Sequence, residues 1–192
     1  MKGNNLLIEK EGKKYKVTSV SGKVCFFDSV DNFVDGFAKA TKEDKTYYIN
    51  KFGDVFDNVE EFNDKFVKVC KYGLYGLCDK ETTKIVLKPK YSWIWPFYED
   101  LARVLKNGKF GFINTSCKEI IKPKYEYAWD FSCGYARIRK IWGRYNYINK
   151  SDERISEKGF FNAWNFRNNV AVIQNIEDDS LTRINTIGEE VN

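Results

Sequence analysis

The stretch NGKFGFINTSCKEIIKPKYEYAWDFSCGYARI, residues 107–138, holds the pattern that decides the fold of this chain. Asn107-Gly108 is the pair expected in a two-residue hairpin turn, because both central residues of that turn need positive φ. The preceding segment LARVLK, residues 101–106, alternates apolar and polar side chains, as a half-buried strand does. KFGFIN at 109–114 is then the returning strand, and EIIKPKY at 119–125 is a third strand after another turn. The stretch therefore predicts a three-stranded β-meander.

The features of this stretch recur along the chain. A phenylalanine is followed five residues later by a small apolar residue and preceded six residues earlier by another aromatic residue. These key phenylalanines are spaced 29, 35, 34 and 35 residues apart, so the chain is built from repeated units. The five triplets are Phe27/Phe33/Ala38, Phe56/Phe62/Val67, Tyr91/Phe97/Ala102, Tyr125/Phe131/Ala136 and Phe160/Phe166/Ala171.

The returning strand of each unit also recurs, and it ends in an asparagine or aspartate before a turn. One unit cannot bury its aromatic side chains alone, so neighbouring units must stack. The sequence predicts an all-β fold in which three-stranded β-meanders of about 35 residues stack into an elongated, twisted array. A closed, propeller-like ring is the alternative. We expect a single domain over residues 1–192, with units at approximately 1–27, 28–56, 57–91, 92–125, 126–160 and 161–192.

The stretch at 107–138 resembles the WG repeat. It has the core Gly-x-aromatic-Gly-aromatic-Ile-Asn, the tail Ile-x-Pro-x-Tyr and then Phe-x-x-Gly-x-Ala. Phe110-Gly111 and Tyr75-Gly76 stand where the family has Trp-Gly, and Tyr145-Asn146 has lost the glycine. The resemblance is strongest between Val67 and Ala136 and covers most of the chain. It implies a bacterial binding scaffold and brings no catalytic residues with it.

Composition argues against catalysis and against a membrane or exported location. The chain has no histidine, which removes the commonest general base and the commonest metal ligand. Asp and Glu are abundant, so a carboxylate pair of the glycosidase type is possible, but the sequence singles out no such pair. The five cysteines form no CxxC pair, so we expect reduced thiols in apolar positions. With no signal-peptide core and no apolar run of about 18 residues, we expect a cytoplasmic protein. Without histidine or a CxxC pair, we expect no metal and no cofactor.

Positive charge is concentrated in the middle of the chain. Residues 84–144 hold 13 basic and 5 acidic side chains, a local net charge of +8. The whole chain has a net charge of only +5, so the rest of it is net negative. A basic residue follows the small core residue in four units, and strand alternation points it away from the core. Stacked units would align these charges into a basic stripe, with further basic residues extending it. The stripe consists of Lys39, Lys68, Arg103, Arg137, Arg139, Lys140 and Arg144.

A tryptophan lies two residues before the key phenylalanine in three units. These are Trp95, Trp129 and Trp164. Trp side chains at this spacing fill the gap between stacked units, or, where exposed, act as interface hot spots or stacking platforms for bases. The basic stripe is likewise either an ordinary solvated face or a docking surface.

These features predict a partner class rather than a particular partner. We expect a non-catalytic repeat module that binds a protein with an acidic surface, as an adaptor or an inhibitor of a larger bacterial or phage assembly. The alternative is RNA or DNA binding through the central basic units. No membrane partner is expected. The partner-binding residues under either hypothesis are those of the basic stripe together with the three tryptophans.

Overall fold

The computed structural model describes residues 6–140 and 143–191 of the chain. Over these residues the protein is all-β, with small antiparallel sheets whose strands follow one another in chain order. The prediction of tandem β-meanders is therefore confirmed. No helix of the described part is long and apolar enough to cross a membrane. The chain divides into two compact units, with the boundary between Lys90 and Tyr91.

The N-terminal compact unit contains three sheets, each inside one of the predicted repeat units. The first consists of β1 (Leu7–Glu11), β2 (Lys14–Thr18) and β3 (Val24–Phe27). The second consists of β4 (Ser29–Val34), β5 (Phe37–Lys42), β6 (Lys45–Asn50) and β7 (Val55–Phe56). The third consists of β8 (Asn58–Glu61), β9 (Phe66–Lys71), β10 (Leu74–Asp79) and β11 (Ile85–Tyr91).

The C-terminal compact unit contains the other three sheets, again one to a predicted repeat unit. One consists of β12 (Trp93–Tyr98), β13 (Leu101–Lys106), β14 (Lys109–Asn114) and β15 (Glu119–Tyr125). The next consists of β16 (Tyr127–Ala128), β17 (Ala136–Arg139) and β18 (Tyr145–Ile148). The last consists of β19 (Asn162–Ala163), β20 (Val170–Gln174) and β21 (Leu181–Asn185).

Three of the sheets have a fourth strand that the repeat analysis did not predict. In the best-matching unit it is β12, which pairs antiparallel with β13. Its sequence, WIWPFY, lacks the polar–apolar alternation that marks a half-buried strand. Pro96 lies where the pairing register shifts between Ile94 and Phe97, so its missing N–H removes no regular ladder bond.

The repeat positions form the core, but not all of them equally. The small residue after each key phenylalanine is buried in every unit, from Ala38 to Ala171. Among the key phenylalanines, Phe131 and Phe166 are buried, whereas Phe33 is 36% exposed. Phe62 and Phe97 are half-buried. The five key phenylalanines therefore share one repeat position but differ in burial.

The glycine of the returning strand allows the third strand to pass closely over it. A Cβ on Gly111 would lie 2.4 Å from the carbonyl oxygen of Ile121 and 2.6 Å from the nitrogen of Pro123. Gly76 has the same relation to Leu87 and Pro89, at 2.3 and 2.6 Å. In the next unit the glycine is replaced by buried Asn146, and there no full third strand pairs with β18.

A side-chain-capped turn follows the returning strand in five of the units. In the best-matching one, the Asn114 side-chain oxygen accepts the N–H groups of Ser116 and Lys118, at 3.1 and 2.9 Å. The Asn side chain thus supplies locally the partners that the turn backbone lacks. Asn50, Asn149 and Asn185 accept backbone N–H groups at the same two positions, whereas Asp79 accepts the single N–H of Thr82.

Candidate functional site

Three positions of each repeat combine into what we call a cation–aromatic stack. The first lies two residues before the key phenylalanine, and the second directly follows the small core residue. The third position lies on the returning strand. It is the residue that pairs, across the hairpin, with the residue two places after the second position. In the sheet β12–β15 these are Trp95, Arg103 and Phe110. The Arg103 guanidinium lies 4.4 Å from the Trp95 ring centroid and 5.6 Å from that of Phe110.

Arg103 is also held by polar groups at its far end. Its guanidinium donates a hydrogen bond to the carbonyl oxygen of Ala128, in the following repeat. Its Nε lies 3.3 Å from a carboxylate oxygen of Asp130. Burial lowers the pKa of Arg103, and the neighbouring Asp130 opposes that shift. The positive charge is thus enclosed between two rings, a carbonyl and a carboxylate.

The following repeat builds the same stack from Trp129, Arg137 and Tyr145. The guanidinium of Arg137 lies 3.6 Å from the Trp129 ring centroid and 5.8 Å from that of Tyr145. It donates a hydrogen bond to the carbonyl oxygen of Ala163, in the last sheet. Cation–π contacts of this kind contribute about 0.5–2 kcal/mol, the larger value when the cation is desolvated. Both stacks therefore tie one repeat to the next.

In the N-terminal compact unit, Lys68 takes the cation position with an acidic partner. Its ammonium lies 2.7 Å from a carboxylate oxygen of Glu60, which occupies the position of the tryptophans. It also lies 5.3 Å from the Tyr75 ring centroid and 5.8 Å from that of Phe62. Only 10% of the Lys68 side chain is exposed. Here an ion pair completes the stack.

These contacts correct the expectation of a row of solvent-facing charges. Lys68, Arg103 and Arg137 do point away from the small core residues, but aromatic rings and backbone oxygens cover them. The reason is that the rings of the first and third positions enclose each arginine, whereas Glu60 and the Tyr75 ring enclose Lys68. In the units of Trp95 and Trp129, the arginine of the basic stripe and the tryptophan therefore belong to the same structural contact. Contact of these residues with a partner stays a prediction.

The stack is incomplete in the sheet β4–β7. Its three positions hold Asp31, Lys39 and Thr46, so neither the first nor the third position supplies a ring, although Tyr48 lies opposite Lys39 across the hairpin. Lys39 is exposed, and a cavity of about 490 Å³ opens beside it. We call this cavity the Asp31 cleft. It is lined by Asp31, Asn32, Val34, Asp35, Phe37, Lys39, Tyr48, Val59, Glu60, Glu61, Val67 and Lys80.

The stack is also incomplete in the last sheet, where the missing member is the cation. Val172 takes the place of the arginine between Trp164 and Leu181. Trp164 is 44% exposed and Leu181 65% exposed. A cavity of about 760 Å³, which we call the Trp164 groove, lies here. Its lining consists of Arg137, Trp164, Asn165, Arg167, Asn168, Val170, Val172, Leu181 and Arg183, with no carboxylate.

Two arginines of the Trp164 groove have free guanidinium groups. The side chains of Arg167 and Arg183 are exposed, and neither forms an ion pair or hydrogen bond with the described residues. Arg183 also borders a second hollow that Glu190 lines. Arg137 differs from both, because its guanidinium is fixed by Trp129 and the Ala163 carbonyl. The groove thus combines one fixed and two free cations with an exposed indole.

A protein-family model for the "WG containing repeat" matches residues 75–110 and 110–140. Residues 75–140 are two adjacent WG repeats. The resemblance seen in residues 107–138 is thereby confirmed, and the two matched ranges begin at Tyr75 and at Phe110, the residues that precede Gly76 and Gly111. In these WG repeats the glycine is required by the close approach of the third strand, and the aromatic partner closes the stack.

No curated protein sequence matches the chain. Several solved structures are similar at low identity, each over nearly all of this chain. The designed Ika8 protein has 10% identity and a TM-score of 0.40, over 98% of this chain and 73% of that one. BamB from Moraxella catarrhalis has 10% identity and a TM-score of 0.39, over 97% and 72%. Dihydro-heme d1 dehydrogenase NirN has 14% and 0.38, over 99% of this chain and 53% of that one.

Of the remaining predicted residues, Arg139 adjoins the stack of Arg137, whereas Lys140 and Arg144 lie apart from both cavities. Arg139, just beyond the WG repeat stack of Arg137, lies 4.3 Å from the Tyr127 ring centroid and 5.4 Å from that of Tyr145. Lys140 and Arg144 are exposed and border a smaller hollow of about 350 Å³. No cluster of metal-ligating side chains occurs among residues 6–140 and 143–191.

The repeat analysis missed Arg167 and Arg183. Arg183 pairs with Val172 as Phe112 pairs with Arg103 in the WG repeat, so an arginine replaces a buried aromatic residue there. That replacement, read together with Val172, is a signal in the sequence that this repeat leaves its stack open. Arg167 directly follows the key phenylalanine Phe166 and has no counterpart in the other units.

Proposed function

We propose that this protein is a non-catalytic binding module that docks an acidic segment of a protein partner in the Trp164 groove. One observation carries the proposal. Two guanidinium groups without an internal partner flank a half-exposed tryptophan, and no carboxylate lines the groove. The module would act as an adaptor or inhibitor within a larger bacterial or phage assembly, in the cytoplasm.

The residue types of the groove are those that carry binding energy at protein interfaces. Trp and Arg are the residues most enriched among interface hot spots. An arginine guanidinium matches a carboxylate with two parallel hydrogen bonds, which adds geometric selectivity to charge attraction. Arg167 and Arg183 are free to form such pairs, whereas Leu181 offers exposed apolar surface beside them. An acidic peptide segment with an apolar or aromatic residue fits this combination.

The covering of Lys68, Arg103 and Arg137 favours a protein over a nucleic acid, because it interrupts the row of exposed charges that the basic stripe would otherwise form. A nucleic-acid backbone is held by cations spaced along a track, and each phosphate neutralised contributes to affinity. Lys68, Arg103 and Arg137 are covered and cannot supply such a track. RNA or DNA is nevertheless the second candidate, because exposed Trp164 is a suitable stacking platform for a base.

The test compares the natural partner, captured from the native host, on wild type and on an Arg167→Ala/Arg183→Ala variant. We expect the captured partner to carry an acidic segment, and a synthetic peptide of that segment to bind at least tenfold more weakly to the variant. Trp164→Ala should weaken binding similarly. Arg154→Ala, an exposed arginine outside the groove, is the matched control and should bind as wild type.

Two results would contradict the proposal. The first is unchanged affinity of the captured partner for the double arginine variant. The second is sub-micromolar binding of random single-stranded RNA or duplex DNA at physiological salt, lost in the same variant. In that case the logarithmic salt dependence should show a slope of about −0.7 to −0.9 per phosphate neutralised, and the nucleic-acid alternative would replace the protein partner.

A further inference from the structure

The Asp31 cleft is the counterpart of a site that two other repeats fill with their own tryptophan. Asp31 stands where Trp95 and Trp129 stand, and Thr46 stands where Phe110 stands. The cation of the stack, Lys39, is kept. The cleft therefore presents a cation that lacks its ring, and its volume of about 490 Å³ falls in the range of small-molecule sites.

The floor of the cleft is apolar. Phe37 and Val67 are each 8% exposed and line it together with half-buried Tyr48 and Val59. Val34, which is 69% exposed, forms part of its wall. Such a surface gains free energy when an apolar or aromatic group displaces water from it. The floor thus selects for a flat, apolar group of about the size of the missing indole.

The rim of the cleft carries unbalanced negative charge. Four carboxylates and two lysines line it, and Lys68 neutralises one of the carboxylates from outside the lining, which leaves a formal charge of −1. Glu60 pairs with Lys68 at 2.7 Å, and Glu61 with Lys80 at 3.0 Å. Asp31 and Asp35 have no ion pair or hydrogen bond through their side chains within the described part of the chain. These two carboxylates are therefore available to a cationic group of a ligand.

We propose that the Asp31 cleft binds a small aromatic amine. The ring occupies the tryptophan position on the floor made by Phe37 and Val67, and the ammonium lies against Asp31 and Asp35. Lys39 then covers the ligand ring as Arg103 covers Trp95 at 4.4 Å, so the ligand completes the missing stack. Each of the three features has a role: the floor takes the ring, the free carboxylates take the charge, and the retained lysine closes the site. This site is separate from the Trp164 groove and does not depend on the function proposed for it.

Tryptamine is the probe for this site, because it joins an indole ring to a primary amine. Titration calorimetry of the full chain should show saturable binding with a dissociation constant below about 1 mM, a modest affinity for a ligand of that size. Indole-3-propionate has the same ring and a carboxylate instead, and it should bind at least tenfold more weakly. Backbone amide shifts should localise tryptamine binding to Lys39, Tyr48 and Val67.

Two variants separate the charge from the space. Asp31→Asn/Asp35→Asn removes both free carboxylates at exposed positions and should weaken tryptamine binding at least about tenfold, to the level of a neutral site. Asp31→Trp should abolish binding, because the new indole fills the cleft and restores the stack with Lys39. Trp164→Ala, in the other compact unit, is the control and should bind tryptamine as wild type.

The proposal is overturned by absence of saturable tryptamine binding up to about 10 mM, a concentration well above that expected for a pocket of this size. It is equally overturned by equal affinity for indole-3-propionate, or by wild-type affinity in the folded Asp31→Trp variant. The amide spectrum of each variant shows whether the chain is folded. Because both aspartates are exposed, the double asparagine variant keeps the test independent of the tryptophan substitution.

Discussion

At the scale of single residues, Gly111 links the WG motif to the geometry of the meander. Because Gly111 has no side chain, the backbone of β15 can pass closely over β14. A Cβ at this position would lie 2.4 Å from the carbonyl oxygen of Ile121 and would block that approach. Neither colliding atom is a flexible side-chain end, since both belong to the backbone of Ile121 and Pro123. The strand would have to move as a whole, and this explains why Asn146 accompanies the loss of that strand in the next repeat.

We predict that Gly111→Ala destabilises the chain by roughly 1–3 kcal/mol, the range for overpacking a well-packed site. Urea unfolding followed by tryptophan fluorescence measures the change. The control is Gly108→Asn, because nothing lies within 4 Å of a Cβ there and Asn tolerates the positive φ of the turn. Equal stability of Gly111→Ala and wild type would contradict the role given to this glycine.

The turn residue Asp79 should titrate at an unusually low pH. The hydroxyl and backbone N–H of Thr82 donate to its carboxylate at 2.7 and 2.8 Å, and these hydrogen bonds hold the pKa of Asp79 below its ordinary value. Since the folded pKa is lowered, the stabilisation is present above the unfolded pKa of about 4 and is lost as pH falls through the folded pKa. Thr82→Val should raise the pKa of Asp79 part of the way back.

Carbon-13 NMR of the carboxyl groups measures that pKa directly. The matched control is Asp178, whose pKa is lowered by the hydroxyl and N–H of Ser180 and should not change in Thr82→Val. If the pKa of Asp79 is the same in wild type and variant, the hydroxyl does not contribute, and the capped turn in this repeat rests on the backbone N–H alone.

At the scale of elements, the key phenylalanines show how one repeat position acquires different roles. Phe131 packs edge-on against Phe112, with ring centroids 4.9 Å apart, and is 3% exposed. Phe33 occupies the same repeat position on β4 and keeps 36% of its surface exposed. The difference comes from what covers the strand, because the two residues share the same spacing from the neighbouring aromatic and small residues.

We predict that Phe131→Ala costs about 3–5 kcal/mol of unfolding free energy, as expected for a buried aromatic residue. Phe33→Ala is the matched variant and should cost about two thirds as much, because roughly a third of its side chain is already in water. Chemical denaturation of both variants supplies the comparison. Similar losses would show that the half-exposed position is as important for stability as the buried one.

At the scale of the whole molecule, each compact unit has one repeat in which the stack is open and at least one in which it is closed. The Asp31 cleft lies in the N-terminal unit, where an aspartate replaces the ring. The Trp164 groove lies in the C-terminal unit, where a valine replaces the cation. The two openings differ in charge for that reason, with an acidic rim on the first and free arginines on the second. Departures from the repeat pattern, rather than its regular positions, thus mark the candidate sites.

We predict that all five cysteines are free thiols, as expected for the proposed cytoplasmic location. Alkylation after unfolding without reductant should modify each of the five once. In the folded chain, half-buried Cys25 and Cys133 should react first, whereas burial raises the pKa of the Cys78 thiol to about 12 and keeps it unreactive. A thiol that reacts only after reduction would overturn the expectation, and mass spectrometry of the peptides identifies which one.

The repeat spacing by itself determined the all-β class, the meander and the boundaries of the sheets. Those features depend on strand alternation, turn residues such as Asn107-Gly108 and a glycine such as Gly111, whose effects are local in the chain. Tertiary structure alone decided that Lys68, Arg103 and Arg137 are enclosed and that Lys39, Arg167 and Arg183 are open. Strand periodicity tells which side of a sheet a side chain takes, but residues distant in sequence decide what covers it: Ala128 and Asp130 reach Arg103 from the next repeat, whereas Asp31 and Thr46 stand in place of the two stack rings beside Lys39.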